Sequence, residues 1–116
     1  MKRNYKLFLK DILTCLNKID SFVGKMSFHE FMQDEKTKSA VVRELEVMGE
    51  AAKNIPPSIR QRYEDIPWSQ MAKTRDKIIH FYFGVDYEIV WEVIRKRLPQ
   101  IKPVVGKILK ELEKNE

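Results

Sequence analysis

Apolar residues recur at Tyr5, Phe8, Leu9, Ile12, Cys15, Leu16, Ile19, Phe22 and Val23, with charged and polar residues on the positions between. Steps of three and four sustained in this way mark a helix that buries one face. The pattern predicts a long amphipathic helix ending near Gly24. Ser27 and Glu30 then stand at capping-box spacing, in which each side chain satisfies the other's backbone N–H, so a short helix through Met32 follows. A second long helix is expected from about Asp34 to Asn54, burying Val41, Val42, Leu45, Met48, Ala51, Ala52 and Ile55. Asp34 and Glu35 suit its positive end. Gly49, Ala51 and Ala52 are small enough to let another helix come close.

Pro56-Pro57 stops that helix, and Ser58 to Tyr63 reads as a short helical turn. Pro67 suits a first helical turn. Trp68, Met71, Ala72, Ile78, Ile79 and Tyr82 extend an apolar face from there to about Phe83, with Gly84 as the end cap. Asp86 can cap a fourth helix carrying Ile89, Val90, Val93, Ile94 and Leu98, which Pro99 breaks or bends. A last helix shows Ile101, Val104, Val105, Ile108, Leu109 and Leu112, and Lys107, Lys110 and Lys114 suit its C-terminal half. No stretch alternates apolar and polar residues long enough to propose a sheet, and there is no repeat or linker. The expectation is one all-α domain over 1–116, an up-and-down bundle of about four to five helices with short helical turns.

Composition narrows the chemistry. The single Cys15 excludes a disulfide framework within the chain and a cysteine-cluster zinc site; its place on the first helix reads as a buried apolar residue. With two histidines, and no acidic cluster to hold magnesium, neither a metal nor a cofactor is expected. Four glycines leave little for a phosphate loop, and G-x-S-x-G, H-E-x-x-H and EF-hand patterns are missing. Lys6, Lys10 and Asp11 interrupt the apolar residues at the start, so no signal peptide or membrane span is expected. A cytoplasmic location with a reduced thiol follows. A net charge of +5 permits an anionic partner without demanding one. Residues 67–116 carry ten basic against seven acidic groups, so a polyanion site falls there and on the first helix before the middle.

One dense stretch remains, from Lys73 through Arg75, Asp76, Lys77, His80, Phe81 and Tyr82 to Gly84. Arginine grips a phosphate with two parallel hydrogen bonds, and histidine titrates near neutral pH. Together they can break a phosphodiester without a metal, the arginine neutralising charge while the imidazole moves a proton. On an ideal helix Arg75 and Tyr82 fall within ~20° of each other, but Arg75 and His80 are ~140° apart. Asp76 and His80 are four apart, so the carboxylate can orient the imidazole. Two arrangements would bring Arg75 and His80 to one phosphate: an unwinding toward Gly84, or a two-fold axis beside the helix, which is the favoured one. The plainer reading is that His80 serves the helix dipole and Arg75–Asp76–Lys77 is an exposed charged strip. Phe81, Phe83, Tyr87 and Trp91 exceed a single stripe, and a homodimer would cover them.

The Arg75-x-x-x-x-His80-x-Tyr82 pattern, running on through Phe83-Gly84-Val85-Asp86, resembles the motif of HepT-like toxins in the HEPN superfamily. Met26-Ser27-Phe28, Asp34-Glu35-Lys36-Thr37, Gly49-Glu50-Ala51-Ala52-Lys53, Ile66-Pro67-Trp68 and Val90-Trp91 also look like that family, so the likeness covers roughly Tyr5 to Ile101. The resemblance implies a dimeric helical fold with the motif at a cleft between protomers. It implies a metal-independent endoribonuclease that uses the RNA 2′-hydroxyl as nucleophile and leaves a cyclic 2′,3′-phosphate and a 5′-hydroxyl. Arg75 would hold the scissile phosphate, His80 would be general acid or base, and Asp76 would support them. The chain would be the toxin of a type VII toxin–antitoxin system. Its partner, an MNT-type nucleotidyltransferase antitoxin, would neutralise it by placing AMP on Tyr82. Lys73, Lys77, Arg95 and Arg97 are candidates for the RNA backbone, with Lys102 beside them, although Arg95-Lys96-Arg97 also fits a solvated helix face. The alternative function is a non-catalytic helical module that binds a nucleotide or supports a nucleotidyltransferase. A small DNA-binding protein is weaker still, because no helix-turn-helix spacing is convincing.

Overall fold

The computed structural model describes residues 4–80 and 84–114. Helix α1 spans Tyr5–Val23 and buries Leu9, Ile12, Cys15, Leu16, Ile19 and Val23. Asn4 caps its start, and Gly24 ends it at φ +53°, donating its N–H to the Asp20 carbonyl. The capping box forms as expected on α2, Phe28–Gln33: Ser27 N–H donates to Glu30 Oε1 at 3.0 Å, and Glu30 N–H to Ser27 Oγ at 3.1 Å. Asp34 caps α3, Glu35–Lys53, by accepting from Thr37 N–H at 3.0 Å. These three elements match the sequence pattern because their signals are local.

Helices α1 and α3 pack most extensively on each other, and α8, Leu98–Lys114, also packs on α1. Between α3 and α8 the chain runs through α4, Pro57–Arg62, and α5, Trp68–Ala72. Trp68 Nε1 donates to the Tyr63 carbonyl at 3.0 Å, and Tyr63 OH donates to Glu111 Oε2 at 3.0 Å, tying this connection to α8. Leu9, Ile12, Ile19, Phe31, Val41, Ala52, Ile78, Val90 and Val105 are fully buried in a single core. The all-α class is as expected.

Three details differ from expectation. The helix expected from Pro67 to about Phe83 is instead α5, then α6 at Thr74–Ile78, then an extended β1 at Ile79–His80. β1 pairs antiparallel with β2, Gly84–Val85, in the register Ile79↔Val85 and His80↔Gly84. Gly84, at φ +82°, opens this strand and does not cap a helix. The Asp86 N–H donates to the Ile78 carbonyl at 2.6 Å, closing the excursion at its base. A β-branched Ile78-Ile79 pair suits this turn out of helix.

The second difference is at Pro99, which neither breaks nor bends the chain out of helix. α7, Tyr87–Glu92, passes through a π turn at Val93–Arg97 directly into α8. Leu98 N–H reaches back five residues to the Val93 carbonyl. Proline has no N–H to give and its ring crowds the carbonyl four residues back, and the wider turn relieves both.

The third concerns aromatic residues assigned to a dimer surface. Trp91 packs on Phe31 at 5.1 Å and on Phe28 at 5.8 Å between ring centroids, and Tyr87 meets Phe31 edge-on at 6.2 Å. Lys38, buried beside them, places its ammonium 4.5 Å over the Tyr87 ring and pairs with Glu35 at 3.0 Å. Helix α2 therefore covers these rings within one chain, and they give no argument for a partner. Phe81 and Phe83 lie outside the described residues.

The small residues of α3 act as expected. A Cβ at Gly49 would lie 2.9 Å from the Met71 carbonyl oxygen, so α5 sits against the α3 backbone itself. Alanine in a helix interior ordinarily gains about 1 kcal/mol over glycine. Here the clash is with backbone and cannot rotate away, so Gly49→Ala should lower stability by about 1–2 kcal/mol in denaturant unfolding. A neutral or stabilised variant would mean that α5 stands off from α3.

Cys15 is buried and has Glu44 beside it, itself buried and paired with Lys18 at 3.7 Å. Burial, and then the negative charges of Glu44 and Asp11, push the thiol up to about 11. The folded state thus holds this proton more tightly than an unfolded thiol with its pKa of ~8.5. The thiol's contribution is complete below ~8.5 and is lost as pH rises toward the folded value. The stability advantage of wild type over Cys15→Ala should therefore narrow between about pH 8.5 and 11 in thermal melts.

Candidate functional site

The motif residues sit where helix gives way to strand. Arg75, Asp76 and Lys77 belong to α6, and His80 belongs to β1. Thr74 Oγ1 donates to the Gln70 carbonyl at 2.9 Å, fastening the start of α6 to α5. Lys73 joins the two helices, with its N–H on the Ser69 carbonyl and its carbonyl accepting from Asp76 N–H at 3.0 Å. The fully buried Ile78 anchors the far end of α6. Asp76, Lys73 and Lys77 are exposed.

The helical geometry drawn from sequence does not apply past Ile78. Arg75 and His80 are on different elements, so the ~140° divergence of an ideal helix does not describe them. For the same reason Asp76 and His80 are no longer neighbours on one helical face. The side chains of Arg75 and His80, and all of Tyr82, lie outside the described part of the structure.

The four candidates for the RNA backbone fall in three places. Lys77 and Arg97 line one groove, together with Gln70 and Thr74, over a floor that includes Met71, Ile89 and Val93. Lys73 is exposed between α5 and α6. Arg95 points elsewhere: its guanidinium stacks 4.4 Å from the Trp91 ring and donates to the Met26 carbonyl, latching α2's approach to the π turn. Lys96 pairs with Glu92 at 3.8 Å, and Lys102 with Asp20 at 2.7 Å. The basic triplet is thus split, with Arg95 engaged in packing and Arg97 facing α5 and α6. Gln70 and Thr74 were not singled out in the sequence. Their only signal was the i, i+4, i+7 spacing of Gln70, Thr74 and Lys77, which carries no chemistry until the π turn is placed opposite.

Among the described residues, no three His, Cys, Asp or Glu side chains gather as a metal site. None of their helices is long and apolar enough to cross a membrane.

Comparison with known proteins decides the family. Residues 12–108 match the family described as Ribonuclease HepT-like. The chain belongs to the HepT-like ribonuclease family. A Methanocaldococcus jannaschii protein whose name assigns it provisionally as an RNase is 48% identical over 112 residues, covering 97% of each chain. A Thermococcus cleftensis protein named as a probable ribonuclease HepT is 42% identical over 110 residues, 95% of this chain and 100% of its own. A Caldanaerobacter subterraneus protein, again provisionally an RNase by name, is 40% identical over 104 residues, 90% of this chain and 93% of its own. No solved structure matches. In this HepT-like chain the motif brackets the end of α6, between a helix fastened to α5 and a ladder closed by the Asp86–Ile78 hydrogen bond.

Proposed function

We propose that this HepT-like protein is a metal-independent endoribonuclease, the toxin of a type VII toxin–antitoxin pair, acting as a cytoplasmic homodimer. The observation that carries the reading is the family match over residues 12–108, which spans the whole Arg75-x-x-x-x-His80-x-Tyr82 motif. Arg75 holds the scissile phosphate and neutralises the charge that builds on it in the transition state. The RNA 2′-hydroxyl attacks the adjacent phosphorus, and the P–O5′ bond breaks. His80 takes the proton from the 2′-hydroxyl or delivers one to the departing 5′-oxygen. The products are a 2′,3′-cyclic phosphate and a 5′-hydroxyl. Asp76, one residue after Arg75, supports the pair from the exposed side of α6. The homodimer rests on the family resemblance and not on Tyr87 and Trp91, which α2 covers.

Regulation falls on Tyr82. A nucleotidyltransferase antitoxin directs the Tyr82 oxygen onto the α-phosphate of ATP, forming a P–O bond and releasing pyrophosphate. The AMP so attached brings bulk and negative charge close to Arg75 and competes with RNA phosphate.

Arg75→Ala and His80→Ala should each lower RNA cleavage by about 10²-fold or more, with the dimer intact in sedimentation. Undiminished cleavage by both variants would falsify the catalytic assignment and favour a non-catalytic nucleotide-binding module. Co-expression with the candidate antitoxin should add AMP-sized increments to the intact mass. Those increments should vanish in Tyr82→Phe, and cleavage by the wild-type protein should fall as they appear. A mass increase that persists in Tyr82→Phe would place the modification elsewhere.

A further inference from the structure

Beside the motif lies a groove between α5–α6 and the π turn, lined by Gln70, Thr74, Lys77 and Arg97 over the apolar floor. A second hollow continues it, sharing Gln70 and Arg97 and adding Asp65 and Gln100. Chemistry changes along this path. The first hollow offers an apolar platform with two cations and, among the described residues, no acidic lining residue. The second offers amide and carboxylate groups, both donors and acceptors. A flat, uncharged ring that carries polar edges and hangs from a phosphate matches that sequence of surfaces. A nucleotide is such a molecule.

Two features of the fold build the groove. A π turn has more than four residues per turn, so Val93, Arg97 and Leu98 share one face and all three line the hollow. Arg97 thereby faces Lys77 across the groove instead of joining Arg95 against Trp91. Lys77 stands on the same short helix as Arg75, two residues on, so the groove is continuous with the element that carries the motif.

We propose that this groove is a nucleotide subsite for the RNA residue flanking the cut. Its phosphate lies between Lys77 and Arg97, and its base rests on the half-buried Ile89 and Val93 of the floor. The base edge is read by Gln70, Gln100 and Asp65, which makes the groove a source of base preference next to the scissile bond. The proposal rests on the ribonuclease reading above and adds the position that selects the substrate.

Two measurements on the whole 116-residue chain separate the two ideas. The first is binding of a fully 2′-O-methylated oligonucleotide, which has no 2′-hydroxyl to react, followed by fluorescence anisotropy over a salt series. Lys77→Ala and Arg97→Ala should each weaken binding about tenfold. Each should also reduce the salt slope by about one phosphate contact. The second is cleavage of a randomised RNA pool with sequencing of the cut ends. Wild type should show a base preference at one position beside the cut, and Gln100→Ala should flatten it. Binding and preference unchanged in all three variants would overturn the subsite and leave the ribonuclease reading standing. Loss of the dimer in Arg97→Ala would overturn it too, by making the groove a protein interface. A wild-type protein that binds the methylated oligonucleotide through Lys77 and Arg97 but cuts no RNA would overturn the cleavage reading and keep the nucleotide site.

Discussion

The carbonyl oxygen of Met71 stands 2.9 Å from where any side chain at position 49 would have to begin. Only a glycine lets α5 rest directly on the backbone of α3, and much else follows from that contact. α5 holds α6 through the Thr74–Gln70 hydrogen bond. α6 hands the chain to β1, which is paired and closed at its base. The start of the motif is therefore referenced to the largest helix pair of the bundle through one backbone contact and one side-chain hydrogen bond to backbone. A contact of backbone on backbone does not swing with rotamers, so the seat of α5 on α3 is fixed by the chain itself.

Sequence periodicity and capping residues disclosed α1, α2 and α3 because both signals act within a few residues. Ser27 with Glu30, and Asp34 with Thr37, form the caps that their spacing implies. The same reasoning overran at residues 68–83. There Trp68, Met71, Ile78 and Tyr82 keep a helical spacing, yet the chain turns extended at Ile79. A tertiary demand, pairing with Gly84–Val85, outweighs a weak local preference. Pro99 misled in the opposite direction, since a proline that breaks an α-helix is absorbed by one π turn.

The candidate site was legible to different depths. Arg75, His80 and Tyr82 stand out as a linear motif, whereas the meeting of Lys77 with Arg97 needs a fold to bring them together. Tyr87 and Trp91 show the converse. Their apparent excess of apolar surface was real, but Phe28 and Phe31 sit above them, on a six-residue helix that contributes little else to the core. Charge follows a similar division. Lys38 and Glu44 are buried with partners and act on packing, while Lys73, Lys77 and Arg97 stay in solvent where a polyanion can find them.

The hydrogen bond from Asp86 N–H to the Ile78 carbonyl makes the intervening chain a closed loop. Closing a loop costs conformational entropy that rises only with the logarithm of its length, about 0.6 kcal/mol for each doubling. Folding meets that cost as Ile79–His80 pairs with Gly84–Val85. The same logarithm separates two kinds of tolerance. A few residues inserted between His80 and Gly84 would hardly change the stability of the bundle, yet they would alter the reach of everything the loop carries. Thermodynamic stability alone would therefore not preserve the length of the sequence between the two paired segments.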